Sequence, residues 1–422
     1  MKKIATILLA LLAFVSVSAQ SLYIYNKGSV ITVVNSSTAG EMTYTPTTLT
    51  ANGVTFNLDE IDSIVVRDGE IRTDSVIITY SGTTAQVLMP VQVAKHATAT
   101  IKGAHVAIES TQTDSTETIY ALSGNSSNGS FYQKGVYKCT LRLNGLTLNN
   151  SDSAAINFQN GKRIDICVTD GTINTLSDNG EGGDQKACLR IKGHAEFKDA
   201  GTLNIAAHAA HAFKSGEYTR IRKSFGTLNI TSAVKDGMHV GQYFLMNGGK
   251  INISGASGDG IQVEATTNQL DSLNGQMHIK GGDIDITLDG DDMDGLKTDA
   301  LLSVLGGTIN VTMNGNGAKA INAYCADVTD SISSPVFNLT VNGDMLTVVE
   351  NGISNNKRPI CFKTEEDMYF HFGTINAFTR NTTDAKGMKI GNNYYYTRKA
   401  VYKLNGKTAT PDVTGAMYLR SK

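Results

Sequence analysis

One short phrase returns along this chain at long intervals and limits what it can fold into. The phrase is a Gly, any residue, an Ile or Leu, then Asn or Asp. It stands at Gly171–Asn174, Gly201–Asn204, Gly226–Asn229, Gly249–Asn252, Gly282–Asp285, Gly307–Asn310 and Gly373–Asn376, with a degenerate copy at Pro335–Asn338. Successive starts lie 30, 25, 23, 33, 25, 28 and 38 residues apart. β-type phrases with a period of about 25–30 residues mean a solenoid.

A second phrase keeps step with the first. It reads His211-Ala-Phe-Lys214, Asp236-Gly-Met-His239, Asp259-Gly-Ile-Gln262, Asp294-Gly-Leu-Lys297 and Lys319-Ala-Ile-Asn322. Weaker copies are Ala154–Asn157 and Lys386–Lys389. Around both phrases apolar and polar residues alternate, as in Ile251 and Ile253 against Asn252 and Ser254. Period 2 marks strands with one buried face. No Leu-x-x-Leu-x-Leu frame and no long 3.6-residue periodicity occurs between Leu141 and Ala377. A sandwich would give turn signals every 8–12 residues or so and no long-period phrase. The fold expected is therefore all-β: a right-handed parallel β-helix of roughly nine coils over about residues 140–380. Its coils lie about 4.8 Å apart. Ile and Leu of the first phrase stack inside, the Gly makes a tight corner, and the adjoining Asn and Asp satisfy turn backbone.

The remaining segments give the organisation. Lys2 and Lys3, the apolar run Ile4–Val17 and the small residues before Gln20 read as a signal peptide over 1–19, so export to the periplasm, cell surface or exterior is expected. The apolar run is too short to span a membrane. A small N-terminal β region follows over 20–70, with strand-like Leu22–Tyr25 and Ile61–Val66 and no phrase. The β-helix is expected over 75–380, with Ser123–Ser130 as a loop, and a C-terminal β cap over 381–422. Five Cys, widely spaced and odd in number, read as buried single thiols rather than a disulfide framework.

Charge and composition narrow the function. The chain carries a formal net charge of −2, and loss of Lys2 and Lys3 with the leader leaves 35 basic against 39 acidic residues. That excludes a strongly basic nucleic-acid binder. There is no Trp, so any ring platform for a sugar must come from 16 Tyr or 13 Phe.

Stacked in register, the first position of the second phrase runs His211, Asp236, Asp259, Asp294, Lys319. Two carboxylates about 5 Å apart repel by roughly 3 kcal/mol at an effective dielectric of about 20. A raised pKa, a Lys neighbour, solvent or a bound cation must relieve this. The run Asp289–Gly295 adds Asp291 and Asp292, an oxygen-rich cluster of the kind that suits Ca2+. It is not an EF-hand, because Met293 and Ala300 stand where that loop needs ligands. The expected metal residues are Asp236, Asp259, Asp291, Asp292 and Asp294. The fourth position presents Lys214, His239, Gln262, Lys297 and Asn322 on one face, and such polar groups suit a polysaccharide. No Arg stands among these copies. His208 and His211 hint at Zn2+ but lack a third ligand, and no G-x-S-x-G, H-E-x-x-H or P-loop occurs.

The stretch Leu122–Gly124, Gly129–Phe131, Leu141–Gly145, Gly171–Asp178, Lys235–Gly237 and Gly258–Ile261 resembles the secreted bacterial carbohydrate-binding β-helix proteins, which are related in fold to calcium-dependent pectate lyases. The likeness covers roughly 75–350, and the leader with the N-terminal region looks like exported proteins of the Bacteroidetes. The resemblance implies binding of cellulose or pectin-type glycan, structural Ca2+ and no established catalysis. Through the related lyases it implies metal roles for Asp259, Asp291, Asp292 and Asp294 and a base at Lys319 or Lys297. The carbohydrate-binding residues are Lys214, His239, Gln262 and Lys297. A non-catalytic polysaccharide binder is the first reading, a calcium-dependent polysaccharide lyase the second, and a structural surface or adhesion protein the third.

Overall fold

The computed structural model describes residues 20–379 except 27–29, 114–115, 180–184, 268–269, 329–332, 352, 367 and 371–372, and strands within 386–411. The expected signal peptide lies outside the described residues, as does much of the expected C-terminal cap. No helix among the described residues is long and apolar enough to cross a membrane.

The architecture is a solenoid of parallel strands. Each coil contributes one strand to each of three faces. Face A runs from Gly129–Lys134 through Ile156–Gln159, Ala187–Ile191, His211–Ser215, Met238–Gly241, Ile261–Glu264, 294–298 and 319–323 to Ile360–Thr364. Face B runs from 139–143 to Met368–Phe370. Face C runs from 147–150 to Thr374–Thr379. Nine coils from Gly129 onward follow one another in parallel register, and Ala104–Ser110 with Thr118–Ser126 adds a tenth ahead of them on the same three faces.

The first phrase lies on face C. Leu203, Leu228, Ile251, Ile284, Ile309, Phe337 and Ile375 stand opposite one another from coil to coil and are buried. The earliest copy departs from this. Ile173 is 67 % exposed, and Asn174 takes the inward place opposite Leu203. Asn174 is fully buried yet satisfied: its Oδ1 accepts the Leu146 N–H at 2.9 Å and its Nδ2 donates to Thr172 Oγ1 at 3.0 Å. A one-residue slip exchanges the two faces of a strand, and this buried amide makes the slip tolerable.

The Asn and Asp of the phrase do not serve the turns as the sequence suggests. They point outward and hydrogen-bond to each other: Asn229 donates to Asn204 at 2.8 Å, Asn252 to Asn229 at 2.7 Å, Asn338 to Asn310 at 2.7 Å and Asn376 to Asn338 at 2.7 Å. Asn310 donates to Asp285, which Lys250 also holds at 2.9 Å. The corner role of the Gly holds at Gly282 and Gly307, whose φ values of 96° and 93° lie where L side chains are strained.

The N-terminal region forms its own small core of Leu22, Ile24, Leu49, Phe56, Ile61 and Val91. Gln20–Asn26 pairs antiparallel with Val30–Asn35 and Ile61–Asp68, and Val30–Asn35 pairs in parallel with Thr84–Pro90. Antiparallel Ala97–Lys102 covers the first parallel strand of face A, Ala104–Ser110. At the other end Thr374–Thr379 meets antiparallel Ala400–Leu404. Such strands terminate an otherwise open edge. The expected loop at Ser123–Ser130 is largely strand: Thr118–Ser126 continues through it, with a bulge at Gly124. All five Cys are free thiols, four of them buried.

The Gly of the Asp-Gly pairs has a packing cause. A Cβ on Gly260 would lie 2.4 Å from the Gly295 carbonyl oxygen and 3.0 Å from Ile286. Gly260→Ala is therefore expected to destabilise the fold by about 1–3 kcal/mol, the usual cost of overpacking. Gly161→Ala, with nothing within 4 Å of the added carbon, is expected to change stability by less than about 0.5 kcal/mol. Denaturant unfolding of the two variants checks the contrast.

Candidate functional site

Face A carries the candidate site. Inward residues Phe213, Met238, Ile261, Leu296 and Ile321 anchor its strands. The next residue of each strand faces out, so Lys214, His239, Gln262, Lys297 and Asn322 stand in one row, as the phrase implies. The row continues to Lys363 and, in the other direction, to Arg190, Asn157 and Tyr132. Arg190 corrects the expectation of a row without Arg. Its strand lacks the Asp-Gly phrase, and only the match of Cys188-Leu189-Arg190 to Ala212-Phe213-Lys214 signals it in sequence.

Two lysines of this row are in opposite electrostatic states. Burial, with Arg190 beside it, lowers the Lys214 pKa to about 8. Burial acts in the same sense on Lys297, but Asp259 and Asp294 outweigh it and raise its pKa. Lys297 Nζ donates to Asp259 Oδ2 at 2.9 Å. Lys319 lies between Asp294 at 3.4 Å and Asp292 at 3.5 Å and donates to the Gly317 carbonyl. The two residues expected as candidate bases are thus held by carboxylates. Lys214 is the lysine among the described residues whose pKa is lowered, and pattern alone gave no sign of that.

The aspartates are chained rather than clustered. Asp236 Oδ1 accepts the Asp259 N–H at 2.9 Å, and Asp259 Oδ1 accepts the Asp294 N–H at 2.8 Å. The other oxygens take side-chain donors: His239 on Asp236, Lys297 on Asp259, and Asn322 on Asp294 at 2.8 Å. The stacked negative charge is relieved by backbone N–H groups, imidazole and ammonium. Asp291 and Asp292 lie in the corner between faces C and A. Asp291 accepts the Asn316 N–H at 2.7 Å, and Asp292 is paired with Lys319 and Lys357. Ca2+ requires about 6–8 oxygen ligands, and here ammonium groups hold the oxygens of Asp259, Asp292 and Asp294. Binding of Ca2+ by the expected Asp236, Asp259, Asp291, Asp292 and Asp294 would require these ammonium groups to be displaced.

A different group does converge. His211, Asp236 and His239, with relative exposures of 9 %, 7 % and 9 %, bring one ligand atom each within 4.8 Å of the others. Burial alone would raise the Asp236 pKa. Hydrogen bonds from His211, His239 and the Asp259 N–H outweigh it and hold the carboxyl well below the usual carboxylate range. His208, the sequence neighbour of His211, instead contacts Asp178. At the corner after face A, His194, Tyr218 and Tyr243 stack on one another, with centroids 4.3 and 4.9 Å apart. Their faces are thereby largely spent on each other.

Comparison with known proteins adds two findings. Residues 102–377 match the family described as carbohydrate-binding domain-containing protein. Among solved structures, the polysaccharide lyase-like protein from C. thermocellum, as a gadolinium derivative, is similar over 63 % of this chain and 96 % of that one, at 20 % identity and a TM-score of 0.49. No curated protein matches the chain.

The contrast between the lysines is measurable by competitive acylation read by mass spectrometry. Lys214 is expected to reach half-maximal reactivity near pH 8, and Lys297 only above the ordinary lysine range. Between pH 8 and 10.5 the folded chain binds fewer protons at Lys214 than the unfolded chain does. The contribution of this residue to stability therefore rises with pH across that window.

Proposed function

Since the chain belongs to the carbohydrate-binding domain-containing family over residues 102–377, we propose that it binds an anionic, pectin-type polysaccharide along face A without cleaving it. The observation that carries this is the row Asn157, Arg190, Lys214, His239, Gln262, Lys297, Asn322 and Lys363. A straight row of donors repeating about every 4.8 Å suits an extended polymer rather than a compact ligand. Arg and Lys within it favour carboxylates, and Arg can grip one bidentately. Lys214 is protonated at a cost set by burial and by Arg190, and a bound carboxylate would relieve that cost. Neutral glycan of the cellulose type is the weaker match, because Tyr218 and Tyr243 beside the face stack on each other and Tyr132 stands at one end of the row.

The polymer is held here by protein donors, with no part assigned to Ca2+ at the aspartates. Winding of the coils is taken as right-handed, the hand of nearly all parallel crossover connections. Action outside the cytoplasm rests on the leader-like segment 1–19. A lyase is the second reading. Asp259 and Asp294 raise the Lys297 pKa and Lys319 is ion-paired with Asp292 and Asp294, so a lyase would use Lys214, the lysine among the described residues whose pKa is lowered to about 8.

Calorimetry with polygalacturonate in EDTA tests the proposal. Binding is expected to weaken with salt, to exceed binding of cellulose oligomers, and to fall at least about tenfold in Arg190→Ala/Lys214→Ala, as expected for lost charged contacts. Equal binding of neutral and acidic glycans, or an unaltered double variant, would overturn it. No unsaturated uronate should accumulate; product that disappears in Lys214→Ala would promote the lyase reading.

Millimolar Ca2+ added to stripped protein is expected to leave Tm unchanged, since a ligand of the native state would raise it. A saturable rise that Asp259→Asn removes would restore the calcium site.

A further inference from the structure

We propose that His211, Asp236 and His239 form a site for a divalent transition metal of the Zn2+ type. The fold creates it. His211 and Asp236 occupy the same corner of successive coils, and His239 follows Asp236 by three residues on the outward row. His239 Nδ1 lies 2.8 Å and His211 Nδ1 3.2 Å from the same carboxylate oxygen, Asp236 Oδ2. The two rings lie 4.6 Å apart. A tetrahedral ion with bonds of about 2 Å separates its ligands by about 3.3 Å, so small ring rotations suffice to admit it.

The surroundings have the form of a metal site rather than of an ordinary ion pair. Asp236 Oδ1 is fixed by the Asp259 N–H at 2.9 Å, which aims Oδ2 at the imidazoles. The far nitrogen of His239, Nε2, lies 3.0 Å from Glu264 Oε2. A carboxylate on the remote nitrogen of a ligating histidine fixes its tautomer and raises its basicity. When it carries no proton, His211 Nδ1 instead accepts the Asp236 N–H at 3.2 Å. Metal binding through that nitrogen would displace this contact, whereas the opposite nitrogen would leave it intact. Two imidazoles with one carboxylate suit Zn2+, Cu2+ or Ni2+ and not Ca2+. Three protein ligands leave at least one position for water or a saccharide oxygen. The site lies in the middle of the proposed binding row but does not depend on that proposal.

The test uses the full chain stripped with chelator and titrated with Zn2+ in the absence of glycan, with Co2+ as a spectroscopic reporter. Expected are one Zn2+ per chain at micromolar concentration or tighter, proton release on binding, and intense visible Co2+ bands of low coordination number. His211→Ala and His239→Gln, each verified as folded by circular dichroism, should lose saturable binding and the Co2+ bands. Glu264→Gln should weaken binding by about 10–100-fold, and His208→Ala should leave it unchanged. Absence of Zn2+ binding by the folded chain, or binding that persists in His211→Ala/His239→Gln, would overturn the site. Because no glycan is present, either result is separable from failure of the polysaccharide proposal.

Discussion

Everything in this molecule depends on the parallel main-chain hydrogen bonding that stacks one coil on the next. It makes residues about 25 positions apart into close neighbours, and it does so for every position of the coil at once. Apolar positions gain from the repetition: the Leu, Ile and Phe column of face C is a continuous core. Charged positions suffer from it, because like stacks on like. The aspartates of face A resolve the conflict through the same ladder: Asp236 accepts the N–H of Asp259, and Asp259 that of Asp294.

That neighbour relation also sets the chemistry of the outward row. Lys214 and Lys297 occupy equivalent places three coils apart on the same face. The first sits against Arg190 and the second against Asp259 and Asp294, and their pKa values move in opposite directions. What a residue can do here follows from the coils before and after it more than from its own strand. The His211, Asp236 and His239 group has the same origin, since Asp236 follows His211 by one coil.

The sequence was most readable where repetition was strict. Between Gly201 and Asn310 the phrases align without error, and the outward row from Lys214 to Asn322 could be written down from them. Legibility failed where the repeat loosened. Ile173 looks like its later counterparts, yet a one-residue shift puts it in solvent, and the buried amide of Asn174 that permits it is visible only in the fold. Arg190 escaped because its strand lacks the Asp-Gly signature. The aspartates were legible as a column, but spacing reports which residues are near and not which backbone donors and lysines meet their oxygens. His208 drew attention to the wrong partner for His211, since three residues along the chain count for less here than one turn of the solenoid.

The asparagine column of face C gives the solenoid a direction. Its amides donate toward the earlier coil, from Asn376 back to Asn338 and Asn310, and from Asn252 back to Asn229 and Asn204. Aligned donors polarise one another, so each run acts as a small dipole along the long axis. Asp285 stands between the two runs and, ionised, can only accept. It closes one dipole and cannot transmit it to the next. The chain of amide hydrogen bonds is therefore broken at its middle by a single carboxylate, although the backbones on either side form one continuous sheet.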